Sequence, residues 1–247
     1  MADADADVEQ GLFSHLIELR TRLLRACVTV LLVLAALVPF ANRLYALLAR
    51  PLVSRLPQGA HLIATEVASP FVTPLKLAVY AALFISMPMI LYQLWAFVSP
   101  GLYKHEKRLA RPLLVAALLL FYLGCAFAYF LVLPAAFRFL TAVTPQGVEM
   151  MTDITHYLDF VMLMFFAFGL CFEVPVAVVI LAAVGIVDLA KLRAARRYAV
   201  VGAFAVAAVV TPPDITSMLM LGIPMCLLYE IGLLAVRWLV PARPATA

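Results

Sequence analysis

PLLVAALLLFYLGCAFAYFLVL, the stretch from Pro112 to Leu133, carries no charged residue. Crossing about 30 Å of hydrocarbon takes roughly 20 helical residues, so this stretch is long enough to span a bilayer. A transmembrane β-strand would alternate apolar and polar side chains over about ten residues. This run is apolar on every face and rich in Leu, Ala, Val and Phe, which reads as helix.

Working outward, further apolar runs are read as spans. The first is Ala26–Ala41, a little short and ending near Pro39. Leu75–Phe97 precedes the quoted stretch, and Leu158–Val184 follows it, interrupted at Glu173. Tyr198–Val210 covers only about 20 Å at 1.5 Å per residue. Ser217–Val236 closes the set, with Glu230 near its end. The expectation is an all-α membrane protein with six transmembrane helices, formed by residues 1–247 as one integral-membrane domain. Pro88, Pro175 and Pro224 lie inside spans, where each removes a backbone hydrogen bond and is expected to kink its helix.

The composition agrees. Of 247 residues, 66% are hydrophobic and 13% charged, against roughly 45–50% and about 25% in soluble domains. Such a chain exposes apolar surface to an apolar solvent, and it is far too apolar for intrinsic disorder. The net charge of +4 comes from short basic clusters between apolar runs, not from a basic face, so nucleic acid is not an expected partner. Cys27, Cys125, Cys171 and Cys226 show neither CxxC nor Cys/His spacing and read as packing residues. Asp3, Asp5, Asp7 and Glu9 have the wrong sign for a signal-peptide n-region, so the first span is expected to be retained.

Of the 18 Lys and Arg residues, all but five fall before the first span, after the last, or in the second and fourth loops. Those segments hold Arg20, Arg22 and Arg25; Arg237 and Arg243; Lys104, Lys107, Arg108 and Arg111; and Lys191, Arg193, Arg196 and Arg197. The five on the other side are Arg43, Arg50, Arg55, Lys76 and Arg138. Basic residues mark cytoplasmic segments, so both termini are expected inside. The outer loops Asn42–Pro74 and Pro134–Tyr157 are long enough for short helices of their own; Thr211–Thr216 is a tight turn.

Six short segments carry a resemblance: HLIELR (His15–Arg20), ASPF (Ala68–Phe71), YKHEKR (Tyr103–Arg108), FEVP (Phe172–Pro175), TPPD (Thr211–Asp214) and IPM (Ile223–Met225). Each is weak alone. In this order, at this spacing, they resemble the TatC family, the receptor subunits of the twin-arginine protein translocase. The resemblance implies a cupped, concave bundle in the bacterial inner membrane. It also implies binding of twin-arginine signal peptides of folded cargo, single-span TatA and TatB partners, and export driven by the proton-motive force. A homo-oligomer within the complex is expected, with no cofactor, no metal and no catalytic reaction.

Glu18 and Glu106 are acidic residues within otherwise basic cytoplasmic segments. A planar guanidinium matches a carboxylate bidentately, and the resemblance assigns both residues to the arginine pair, with Arg20 and His15 beside them. The alternative is internal pairing, for Glu18 with Arg22 at i, i+4. Glu173 stands out without any resemblance. An ionisable group in mid-span costs at least about 2.5–3.5 kcal/mol and is a functional candidate by default. Pro175 just beyond it is expected to break the helix there. The resemblance places Glu173 on a partly hydrated concave face; a structural hydrogen bond is the alternative. Thr211, Asp214 and Met218 fall where the family docks TatA and TatB, although Asp214 is also an ordinary turn residue and Met218 replaces a usually polar residue. Met87, Met89, Trp95 and Phe97 read as lipid or core contacts, Trp95 suiting an aromatic belt.

Two other classes compete. A proton-coupled secondary transporter would use Glu173, but the two halves show no internal repeat. An intramembrane enzyme would need paired catalytic groups or a metal site at membrane depth, whereas His15, His61, His105 and His156 lie outside the expected spans and HExxH is absent.

Overall fold

The computed structural model describes the backbone of residues 2–53, 63–98, 110–144, 153–211 and 215–240, and the side chains of 16–48, 63–97, 111–144, 153–211 and 215–240. Helix α1 runs Ala2–Leu37. A 3₁₀ turn at Val38–Phe40 leads into α2, Ala41–Val53; then come α3, Ser69–Val98, and α4, Ala110–Phe127. A π-helical turn at Ala128–Val132 joins α4 to α5, Leu133–Val143. The rest are α6, Ile154–Phe172; α7, Val174–Val184; α8, Leu189–Ala194; α9, Arg196–Val210; and α10, Ile215–Leu239.

Among the described residues, five helical stretches are long and apolar enough to cross a membrane: Leu16–Leu48, Ser69–Phe97, Arg111–Val143, Ile154–Val184 and Ile215–Leu239. Helix α9, with 15 residues, covers about 22 Å and is not among them. The short helices expected in the two long outer loops are present as α2 and α5. Helix α1 stops just before Pro39, because a proline ring clashes with the preceding turn. The three span prolines behave differently. Helices α3 and α10 continue through Pro88 and Pro224. At Pro175 the helix stops: α6 ends at Phe172, and Pro175 sits in the first turn of α7, where its missing N–H costs nothing. Gly185, in the left-handed region at φ 84°, ends α7, a conformation only glycine takes freely.

The bundle is assembled by α1 and α2 on α3, α4 on α6, and α10 on α7 and α9. Helices α4 and α6 approach each other very closely. A Cβ on Gly124 would lie 2.5 Å from the Phe168 carbonyl oxygen, and one on Gly169 would lie 2.6 Å from the Phe121 ring. Each glycine thus admits the partner helix's backbone or aromatic knob, the small-residue packing that drives helix association in lipid. Phe121 and Phe168 are fully buried. Trp95, read as a lipid or core contact whose position also suits an interfacial belt, is a core residue, in one cluster with Leu91, Leu113 and Ala117; the exposed tryptophan is Trp238. None of the four cysteines is disulfide-bonded.

A polar clasp ties the start of α3 to the start of α6. Asp153 caps α6, accepting from the backbone N–H groups of Thr155 at 2.8 Å and His156 at 3.1 Å. Its other oxygen accepts from the Thr65 hydroxyl at 2.7 Å and the Thr65 N–H at 2.9 Å. Beyond it, the Thr73 and Thr155 hydroxyls meet at 2.8 Å and Thr155 bonds Ser69 at 3.1 Å. One turn deeper, Lys76 Nζ lies 3.0 Å from Asp159. Asp159 is thus a second acid at the edge of the run Leu158–Val184, in which Glu173 alone stands out by sequence. The Thr65 hydroxyl, followed by the Thr65 amide and the α6 amides, holds the Asp153 carboxyl well below the usual carboxylate range. A depressed folded-state value means the unfolded chain binds the proton more readily, so this stabilisation is complete above about pH 4 and is lost as pH falls further. Asp153→Ala is therefore expected to lower the thermal midpoint at pH 7, Asp153→Asn to lower it less, and the gap between wild type and Asp153→Ala to shrink below about pH 4. Thermal unfolding in detergent across that pH range checks it.

Candidate functional site

Three places carry the candidate residues. The first is the stretch of α1 ahead of its apolar run. Glu18 is one turn from Arg22, whose Nε donates to Glu18 Oε1 at 2.9 Å; the internal pairing raised from the sequence exists. Both side chains are partly exposed and Arg20 is exposed. An i, i+4 pair of this kind is worth only about 0.3–0.5 kcal/mol, so Arg22 orients the Glu18 carboxylate without withholding it from a stronger guanidinium partner. The His15 side chain and Glu106 lie outside the described residues.

The second is the break between α6 and α7. Glu173 is the joint residue. Its N–H donates to Leu170 O at 3.1 Å and its carbonyl accepts from Ala177 N–H at 2.9 Å, so the backbone is satisfied while the helix axis is interrupted. Pro175 cannot donate to the carbonyl of Cys171, four residues back. On α10, a Cβ on Gly232 would come within 3.1 Å of Pro175 Cα, so α10 packs directly on the break. The Glu173 side chain is half-buried, and its Oε1 has no hydrogen-bond partner among the described residues. The structural hydrogen bond considered from the sequence is therefore not made by that oxygen. A desolvated carboxylate oxygen without a donor is costly, and the arrangement leaves an acceptor open within the membrane-depth part of the chain.

The third is the α9–α10 turn. Thr211 is buried and its hydroxyl donates to Ala207 O at 2.8 Å, closing the last turn of α9. Its hydroxyl proton is spent inside the chain. Met218 is partly buried against the core that contains Leu221 and Leu228. Asp214 lies outside the described residues. The structure thus keeps Thr211 and Met218 at the head of the helix pair but turns both partly inward, while Val209 and Ile215 are exposed apolar residues near them. The other end of the same pair is held by Arg196 Nε to Glu230 at 2.6 Å, and there the Tyr229 hydroxyl ties α10 to α8 by donating to Leu192 O at 2.8 Å.

Among the described residues no group of His, Cys, Asp and Glu is arranged to hold a metal ion. A family model described as Sec-independent protein translocase protein (TatC) matches residues 14–224. The chain belongs to the TatC family. It is 56% identical to the Sec-independent protein translocase protein TatC of Azotobacter chroococcum mcd 1, covering 94% of this chain and 91% of that one. It is 54% identical to the TatC of Escherichia coli K12, covering 94% and 90%. Its fold matches a crystal structure of the twin-arginine translocase receptor TatC with a TM-score of 0.78 at 34% identity, over 92% of this chain and all of that one. TatC proteins are membrane-embedded translocase components rather than enzymes, so this is a multi-pass membrane protein of a protein-transport complex. The TatC match spans the α1 segment with Glu18, the Glu173 break and the α9–α10 turn alike.

Proposed function

We propose that the chain is the signal-peptide receptor of a twin-arginine translocase in a bacterial inner membrane. Glu18 and Glu106 take the two guanidinium groups of a twin-arginine signal peptide at the cytoplasmic face, and His15 and Arg20 shape the approach. The observation that carries this reading is the Glu18 carboxylate, partly exposed on its helix and held, among the described residues, only by an i, i+4 pair. The surrounding positive charge repels stray cationic segments and favours a ligand whose arginines reach both carboxylates. Glu173 serves as the intramembrane polar contact, and Thr211, Asp214 and Met218 mark the docking surface for single-span TatB and TatA. Export of folded cargo then draws on the proton-motive force.

In this reading residues 1–247 form one domain and α9 is a sixth span, so both termini face the cytoplasm. Its 15 residues fall short of the hydrocarbon thickness, and a short span is accommodated by local thinning or by partners that cover the mismatch. A cysteine placed at position 61 in a variant lacking the four native cysteines is expected to react with an impermeant probe from the periplasmic side. Reaction only from the cytoplasmic side would contradict the topology.

Crosslinking tests the receptor reading as part of a complex. A photoreactive residue at position 218, with TatA and TatB coexpressed, is expected to capture one of them. Adducts only with lipid or with this chain would remove the docking role. One observation favours a second reading, a proton-coupled transporter: the open acceptor on Glu173. Copurification separates the two, since a receptor retains single-span partners and signal peptide while a transporter retains a small solute.

A further inference from the structure

At the corner where α8 turns into α9 lies an open cleft of about 610 Å³ lined by Arg193 and Ala194 of α8 and Arg196, Arg197 and Val200 of α9. Three arginines line it, and they are not equivalent. Arg196 is tied to Glu230. Arg193 and Arg197 pair with no carboxylate among the described residues, and Arg197 instead lies over the Tyr198 ring at 4.9 Å from its centroid. The cleft therefore keeps two uncompensated positive charges beside the N-terminus of a 15-residue helix whose cap, Ala195, offers no side-chain acceptor. The ligand it suits is an anion that accepts several hydrogen bonds, and a phosphate matches the guanidinium fork.

The walls say which kind of phosphate. Val200 and Val201 follow Arg196 and Arg197 by one helical turn, and Val201 is 70% exposed. Tyr198 and Trp238, 66% and 83% exposed, stand at the same end of the α9–α10 pair, which the Arg196–Glu230 bridge holds together. Exposed Tyr and Trp beside exposed aliphatics mark the headgroup level of a bilayer, and basic clusters at the end of a transmembrane helix attract anionic headgroups. A soluble phosphate has no use for the apolar stripe leading away from the arginines; acyl chains lie along it.

We propose that Arg193 and Arg197, with Arg196 as the fixed edge of the cleft, bind the phosphate of an anionic phospholipid whose acyl chains run along Val200 and Val201. This site is separate from Glu18, Glu173 and the Thr211–Met218 turn. Native mass spectrometry of the full chain in detergent tests it, with four probes: phosphatidylglycerol, phosphatidylcholine of the same acyl chains, glycerol 1-phosphate and an acidic peptide. Wild type is expected to bind phosphatidylglycerol at least about tenfold more tightly than phosphatidylcholine, and R193Q/R197Q to lose about tenfold of that affinity. R193K/R197K, which keeps the charge but not the fork, is expected to fall between them. Thermal midpoints without lipid should match, because Arg196 is left in place to hold Glu230. Equal binding of the two lipids, or an undiminished affinity in R193Q/R197Q, overturns the proposal. Displacement by glycerol 1-phosphate would assign the cleft to a soluble phosphate instead, and preferential capture of the acidic peptide to a protein partner; either result overturns the lipid assignment. Should R193Q/R197Q fail to fold, the headgroup preference of wild type still decides.

Discussion

Replacing Gly124 by valine is expected to cost the chain its stable fold. The first atom added already falls 2.5 Å from the Phe168 carbonyl oxygen, 2.9 Å from its carbon and 3.0 Å from Phe172 Cβ. Two of these belong to the α6 backbone, which cannot rotate away as a side chain can. The helices must separate, and separating them empties the socket in which Phe121 and Phe168, both fully buried, sit. Phe121 also has Phe84 at 5.8 Å and Tyr122 at 5.6 Å between ring centroids, so the strain spreads to α3. Overpacking a close-packed core costs about 1–3 kcal/mol and occasionally more. With backbone on one side of the clash, Gly124→Val is expected at or above the upper end. Gly169→Ala, whose Cβ meets the Phe121 side chain first rather than backbone, is expected to cost less. Gly202, with nothing within 4 Å, is the control: Gly202→Ala is expected to be neutral or stabilising by up to about 1 kcal/mol from helix propensity. Thermal unfolding and size-exclusion profiles of the three variants give the order, and equal behaviour of Gly124→Val and Gly202→Ala would refute the packing described.

The second large effect concerns recognition. Glu18→Ala and Glu106→Ala are each expected to weaken signal-peptide binding by about tenfold, the low end of what a charge-assisted hydrogen bond contributes. For Glu18 the loss has two parts. The acceptor disappears, and Arg22, released from its 2.9 Å bond, adds an unpaired positive charge that repels the incoming guanidinium. Arg22→Gln in the Glu18→Ala background should therefore restore part of the binding. Because both carboxylates engage one arginine pair, the double variant is expected to lose less than the two single losses combined. Calorimetry on the purified variants measures all four. Wild-type affinity in both single variants would remove Glu18 and Glu106 from the site.

The membrane class and the bundle of long helices are legible in the sequence, because several uncharged runs of about 20 residues cannot all hide inside a soluble core of this size. The α6–α7 break is legible too, since a proline beside a mid-span acid is a local signal. What faces what is not. In lipid, bundle-facing and lipid-facing positions are both apolar, so the periodicity that reveals a buried face in water is erased. Trp95 and Trp238 therefore read alike, yet one is core and the other exposed. The same loss hides the Gly124–Phe168 and Gly169–Phe121 sockets, which depend on the register of two helices. Asp159 is inconspicuous near the end of a span, because its meaning comes from Lys76, which is distant in sequence. Thr211 suggests a partner contact by its place in a motif; its bond to Ala207 is local, but it emerges only once the end of α9 is known.

The measurement that bears most directly on the receptor role is the affinity of the purified, detergent-solubilised wild-type chain for a twin-arginine signal peptide and for the same peptide with both arginines changed to lysine. A lysine ammonium carries the same charge but not the planar fork. The twin-arginine peptide is expected to bind at least about tenfold more tightly, with the difference abolished in the Glu18→Ala, Glu106→Ala double variant. Equal affinity of wild type for the two peptides would contradict recognition by paired carboxylates.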